Sequence, residues 1–409
     1  MKTLFDALGS YWLAVLCLLG LMWLTFVGTW AQRDGDLGLY ASQVKYFESW
    51  LVLHHVAGPW SIGDREFSLL VPFPGGKTLM LLLGVNLLTG GFVRFRYAWK
   101  KIGITITHVG IVLLLVAGFV KYQWGDEGAL RLWEGQQGDE YVSFHEWEIA
   151  VTERLEGGQV KEHLIPGDRF LRLTGDRKAT FANSELPFEI TVARVMPNCR
   201  AIAVGAFGNP PNPVVDGVFL QELKANPEGE ANILGLYATL VGKKESMRAE
   251  AILTGDAFAP FVTECAGKTW GVDLRKKRYK MPFAIRLDRF VHELHPRTMQ
   301  ARSFESFVTQ VTNSKGSGSV ERQVHIYMNQ PLRHEGLVLF QSGWGPQESE
   351  PANGRYYSVF AVVRNPSDQW PLWSCVVIAL GLLVHFGYKL ILYIEAERQK
   401  NRKVMEAVA

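Results

Sequence analysis

Two histidines stand inside apolar runs, where an ionisable side chain is costly. His108 lies in KKIGITITHVGIVLLLVAGFVK, Lys100 to Lys121, and His385 lies in PLWSCVVIALGLLVHFGYKLILYI, Pro371 to Ile394. An ionisable group within a membrane span is a functional-site hypothesis by default. A neutral imidazole is an axial ligand of haem iron, so the chemistry open to both residues is to hold a porphyrin iron from inside a bilayer. Two structural roles compete with it. Either ring can hydrogen-bond a neighbouring helix, or it can snorkel to the near interface, beside Lys101 for His108 and beside Tyr388 and Lys389 for His385.

The elements that must position these rings are apolar helices. About 19 uncharged residues between Lys101 and Lys121 suffice to cross a bilayer core. Three further spans are expected, at about 11–30, 77–93 and 371–394, beside this one at 102–121. The first is too long for a signal-peptide apolar core and has no small-x-small cleavage site after it. Asn86, in the second, can hydrogen-bond another helix. Arg94, Arg96, Lys100 and Lys101 between the second and third spans, and Arg398, Lys400, Arg402 and Lys403 after the fourth, put both basic segments on the cytoplasmic side. His108 then lies about 10 Å from its cytoplasmic helix end and His385 about 14 Å from the Glu395–Arg398 end, at 1.5 Å per residue. Two imidazoles at similar depth can bracket one haem, or each can meet a ligand from a partner. Gly103, Gly110 and Ala117 form a seven-residue seam of small side chains for a close helix neighbour. His108 is about 140° round the axis from Gly103, so one face packs while another presents the imidazole.

The chain has 409 residues and a formal charge of +3, with its basic residues next to the apolar blocks rather than in a stripe with aromatics. A nucleic-acid surface is not expected. Residues 122–370 read as strands: Glu146 to Val151, Pro187 to Val195, Pro282 to Phe290, Arg322 to Met328, Leu337 to Trp344 and Arg355 to Val363 are rich in β-branched and aromatic residues. Gly205 to Pro213 and Ser314 to Ser319 read as loops. The expected architecture is a membrane protein with four transmembrane α-helices, three N-terminal and one C-terminal. A large extracytoplasmic, mostly-β, sandwich-like domain lies between them, and a basic cytoplasmic tail, 395–409, follows. Val44 to Val56 reads as a short amphipathic helix on the membrane surface, with solvated or interfacial His54 and His55, and Val71 to Gly76 as a breaker cluster. The four cysteines include no Cys-x-x-Cys, which argues against a thioredoxin-like site, a zinc ribbon or covalently attached haem. Cys17 and Cys375 read as packing residues; Cys199 and Cys265 are the pair an extracytoplasmic disulfide would use. No hydrolase, zincin or phosphate-loop motif occurs. His145, His163, His325 and His334 are scattered, and His292 with His295 sits in strand pattern rather than on a helix.

Several short patterns resemble the ResB-like proteins of System II cytochrome c biogenesis. They are Asn86-Leu87-Leu88, Phe95-Arg96, Gly103 and His108-Val109-Gly110, where the usual form is His-Leu-Gly. Glu134-Gly135-Gln136, Pro282-Phe283 to Leu287 with Phe290, and Ser303 to Val311 follow. Then come Asn329-Gln330-Pro331-Leu332, Gly336, Phe340-Gln341-Ser342 and Asn365-Pro366. The order of spans and domain is also similar. Phe340 stands at a tyrosine-like position and Asn365 where Asp is commoner; the first loop is longer, and Asn198 to Ala259 has little counterpart. The resemblance implies a non-autonomous subunit of a cytochrome c haem lyase, working with a CcsA/ResC-type membrane protein that carries the tryptophan-rich haem segment absent here. Together they would move reduced haem b outward, non-covalently held, for attachment to apocytochrome c. By that match His108 is the axial ligand, with the second ligand from the partner or His385. Two other classes stay open: a membrane-anchored β-domain that scaffolds an envelope or respiratory complex, and a b-type haem electron-transfer subunit.

Overall fold

The apolar runs around both histidines are helical. The structure, a computed structural model, describes residues 2–33, 37–62, 65–93, 101–155, 159–173, 175, 177–206, 210–244, 246–296, 301–314, 318–346 and 354–408. Its contacts divide the chain into two units, Met1–Gly125 with Asn365–Ala409, and Asp126–Arg364.

The first unit holds helices α1 (Lys2–Leu8), α2 (Tyr11–Arg33), α3 (Leu39–Ser42), α4 (Gly76–Leu88), α5 (Ile102–Trp124) and α6 (Trp370–Val408). Three of them, α2, α5 and α6, are long and apolar enough to cross a membrane. The expected second span is α4, shorter at 13 residues and continued by a π-helical turn, Thr89–Val93. Asn86 on α4 donates to the carbonyls of Leu8 and Ser10 at 2.6 and 2.8 Å, at the break between α1 and α2, as its place in an apolar run suggested. α6 does not stop at the first charges after the apolar run. It continues through Glu395 to Arg398 and on to Val408, because Glu, Lys, Arg and Gln are good helix formers.

The loop after α2 differs from expectation. Helix ends with a π turn at Gln43–Phe47, and the chain then forms an antiparallel hairpin of β1 (Leu51–Ile62) and β2 (Arg65–Pro74). Pro72 lies within β2 and Pro74 is its last residue, since an outer position of a two-stranded ribbon tolerates a residue without an amide hydrogen.

The second unit is almost entirely β. Its strands are β3 (Asp126–Trp133), β4 (Gln137–Arg154), β5 (Val160–Pro166), β6 (Lys178–Phe181), β7 (Phe188–Met196), β8 (Cys199–Ala203), β9 (Val218–Glu222), β10 (Gly235–Gly242), β11 (Arg248–Thr254), β12 (Phe261–Cys265), β13 (Lys268–Leu294), β14 (Ala301–Ser314), β15 (Gly318–Tyr327), β16 (Leu332–His334), β17 (Leu337–Gly345) and β18 (Tyr357–Arg364). Each of the six segments read as strands falls on one of them, with Pro187, Met328, Arg355 and Tyr356 just outside. A long sheet runs β15-β14-β13-β4-β3-β18-β17-β16, with β12 on β13 and β5 on β4; a four-stranded sheet runs β11-β10-β7-β6.

Two apolar cores share strands β4 and β13. One collects Phe188, Ile190, Leu236 and Leu253 from the four-stranded sheet against Ile149, Val151, Trp270 and Val272. The other collects Met281, Phe283, Ile285 and Leu287 with Leu339, Phe360 and Val362. Along β13 the buried positions change from even (270, 272, 274) to odd (281, 283, 285, 287), so each core takes one face of the same strand. The change falls where the pairing register with β4 shifts between Lys276 and Arg278. There Ser143 Oγ accepts from the amides of His145 and Glu146 at 3.4 and 3.2 Å and holds the bulge in β4.

Lys276 lies at this switch. Its ammonium donates to the Phe144 carbonyl at 2.7 Å and sits 4.2 Å from the Trp147 ring centroid. Burial lowers its pKa to about 8, from 10.5, with Glu230 weakly opposing. As pH rises, the folded chain loses this proton before the unfolded chain does. This group therefore makes stability rise between about pH 8 and 10.5. Lys276→Met should remove that slope and leave the midpoint at pH 7 unchanged or higher. Thermal unfolding of both purified chains from pH 7 to 10 checks this; parallel pH profiles would refute it.

Cys199 and Cys265 are both buried and are not joined by a disulfide. Cys199 packs with Met196, Leu220 and Tyr237, and Cys265 belongs to the core around Trp270. Burial pushes the Cys199 thiol up to about 12, which makes it a packing residue rather than a nucleophile.

Candidate functional site

The small-residue seam of α5 fixes which way His108 faces. Gly103, Gly110 and Ala117 are the buried residues of the helix, and all three meet α6 or the turn before it. A Cβ on Gly103 would lie 2.5 Å from the His385 backbone nitrogen and 2.7 Å from the Gly381 carbonyl; one on Gly110 would lie 3.0 Å from the Ser374 carbonyl. Ser367 Oγ donates to the Ala117 carbonyl at 2.7 Å. The two helices therefore run antiparallel with backbones in near contact, a packing that side chains larger than hydrogen or methyl would prevent.

His108 points away from that seam. Its ring lies against Gly91 in the π turn after α4, where a Cβ would stand 2.8 Å from Cδ2 and 3.6 Å from Nε2. Gly91 is thus a cradle that any other residue would fill. Nδ1 lies 2.8 Å from the Ile104 carbonyl. A carbonyl only accepts, so Nδ1 carries the proton and Nε2 keeps its lone pair. Among the described residues Nε2 has no hydrogen-bond partner. This is the arrangement of a metal-ligating histidine, whose second nitrogen fixes tautomer and orientation. The residues present fit an axial ligand of haem iron.

His385 is placed differently from its expected depth. Its backbone is level with Gly103, near the start of α5, so His108 lies about 8 Å farther along the bundle axis at 1.5 Å per residue. The estimate from Glu395–Arg398 fails because α6 does not end there. His108 is also about 140° from Gly103 around α5, so it leaves the helix on a different side from the one that the His385 backbone touches. His385 Nδ1 is buried without a hydrogen-bond partner among the described residues, and its ring meets Phe386 edge-on at 5.3 Å. The basic loop residues Arg94, Arg96 and Lys100 lie outside the described residues.

His54 lies on strand β1, not on a helix, and is partly buried. It stacks on Tyr46 at 5.9 Å and meets Phe73 edge-on at 5.8 Å, with Nε2 buried and without a hydrogen-bond partner among the described residues. Burial first, then Lys45, lowers its pKa. The described residues contain no group of three or more His, Cys, Asp or Glu that could cage a metal ion.

In the β unit, residues of several short patterns converge. Glu134 accepts from the amides of Phe290 and Tyr356 at 2.8 and 3.3 Å. Gly135, at φ +82°, donates to the Leu287 carbonyl, and Gln136 accepts from the Leu287 amide. Gln341 bridges strands: Ser306 Oγ donates to Gln341 Oε1 at 2.6 Å, and Gln341 Nε2 donates to Ser358 Oγ at 2.8 Å, all three buried. Sequence spacing did not show that these segments share one corner; the brevity of Glu134-Gly135-Gln136 between two long strands was the available sign.

A model of the ResB-like family matches residues 231–354. Across that stretch the chain is similar to the ResB-like family. No curated protein matches the chain at a significant level. The ResB-like stretch runs from before β10 to beyond β17 and lies wholly within the β unit. It takes in the later part of 198–259, where little counterpart was expected, together with the Pro282 to Phe290, Ser303 to Val311 and Asn329 to Ser342 patterns. Glu134, Tyr356 and His108 fall outside it. The family is associated with cytochrome c biogenesis.

Proposed function

We propose that this ResB-like chain is the haem-handling subunit of a System II cytochrome c synthase. The observation that carries the reading is His108. Its imidazole is turned off the packing seam of α5, proton-fixed at Nδ1 by the Ile104 carbonyl, and cradled by Gly91 with Nε2 open. Haem is the cargo, and His108 supplies one axial ligand to it. The second ligand comes from a CcsA/ResC-type partner, since the His385 backbone meets a different side of α5 at a different level, which argues against a bracket made by this chain alone. The same placement weighs against a self-contained b-type electron-transfer subunit.

Four spans are proposed, α4 with its π turn serving as the second. The basic segments at 94–101 and 398–403 then face the cytoplasm. The β unit, proposed as sandwich-like around its two cores, would be extracytoplasmic in the inner membrane, where apocytochrome c is presented. The decisive experiment is a visible spectrum of the chain purified with a CcsA-type partner. A reduced b-type haem is expected. A colourless assembly, with a client cytochrome that still acquires its pigment, would overturn the proposal.

A further inference from the structure

His292, on β13, sits in a cluster made only of aromatic rings. It stacks on Trp344 with centroids 4.3 Å apart and planes 24° apart, and Tyr356 meets it edge-on at 5.1 Å. Phe290 stacks on both His292, at 6.0 Å, and Trp344, at 5.6 Å. Phe290 is buried, whereas His292, Trp344 and Tyr356 are half-exposed. The cluster is held from beneath: Glu134 ties the Phe290 amide to that of Tyr356, and buried Gln341, three residues before Trp344, ties β17 to Ser306 and Ser358. A stack so supported fixes the plane of the imidazole.

The nitrogens of this ring carry no hydrogen bond among the described residues. Other histidines of the unit differ. His325 has Glu305 at 2.8 Å, His163 has Glu185 at 3.6 Å and His334 has Glu335 at 3.7 Å. His292 is instead an oriented imidazole with open nitrogens and flat apolar walls. A metalloporphyrin answers both features at once, offering a metal to the nitrogen and, across the imidazole plane, a large apolar disc to the edges of the half-exposed rings. Arg355, exposed and next to Tyr356 in the chain, has no ion pair among the described residues and suits a propionate.

We propose that Phe290, His292, Trp344 and Tyr356 form a second haem-contact site, on the β unit, with His292 as the iron ligand. The inference rests on haem being the cargo of this chain, but not on His108. The experiment is a hemin titration of the full-length chain in detergent, following the Soret band, for wild type, His108→Ala, His292→Phe and the double variant. Phenylalanine keeps the stack on Trp344 and removes the ligand nitrogen, and an unchanged thermal midpoint verifies the fold. His108→Ala should retain one histidine-ligated hemin, and adding His292→Phe should weaken its binding by about tenfold or more. If the double variant binds hemin as His108→Ala does, the bound hemin is adventitious and the site is refuted. If His292→Phe alone removes all ligated hemin while His108→Ala changes nothing, this site stands and the role given to His108 falls.

Discussion

His108→Ala should lower the reduced-haem absorbance of the purified assembly to what the His292 site alone holds and abolish pigmentation of the client cytochrome, while the chain accumulates in the membrane at its normal level. The ring makes one hydrogen bond, to a carbonyl of its own helix, and touches a glycine. Its loss therefore removes little packing, and the α5–α6 seam is untouched. Loss of an axial ligand, by contrast, should reduce haem retention by on the order of 10- to 100-fold or more, since even outer-shell changes cost that much. Gly103→Leu is the converse control. Its side chain would strike the backbone of His385 and Gly381, which cannot move without parting the helices. That variant should fail to accumulate although His108 is intact. Quantitative immunoblots beside reduced-minus-oxidised spectra separate the two results. Equal haem in His108→Ala and wild type would leave His108 a packing residue.

Trp270→Ala should be the most damaging single truncation in the β unit. Trp270 is among the largest fully enclosed side chains of the chain. Its Nε1 donates to the Cys265 carbonyl at 3.3 Å, and Phe188 meets it at 88° and 5.5 Å. Truncation leaves a cavity in the core shared by the two sheets and should cost about 3–5 kcal/mol. For a unit of this size that lowers the thermal midpoint by on the order of 10 °C. Trp270→Phe should recover much of the loss. Near-ultraviolet circular dichroism during heating measures it, and a midpoint within a degree or two of wild type would show that the core closes over the gap.

Local periodicity carried far in this chain. The seven-residue spacing of Gly103, Gly110 and Ala117 named the buried face of α5 and so the direction of His108, because a close helix contact leaves its mark in residue size. The six strand segments were legible from their β-branched and aromatic content. The depth of His385 was not, because charges that end a membrane span do not end a helix. Nor was the hairpin at Leu51–Pro74: apolar and polar residues around His54 fit both a helical face and a strand, and prolines were weighed as breakers although a ribbon accepts them. The cluster at His292 was hidden for another reason. Trp344 and Tyr356 follow His292 by some fifty to sixty-five residues, and only the folding of β17 and β18 against β13 makes them its neighbours.

The double use of β4 and β13 has a kinetic consequence. Thr152 meets Gly271 across 119 residues of chain, and until those strands pair neither core can close. Such non-local topology folds slowly, and it leaves unpaired edges exposed to self-association for as long as it waits. A newly made chain would have to be shielded over that interval, and no internal cleavage product would retain half of the unit as an independently folding piece.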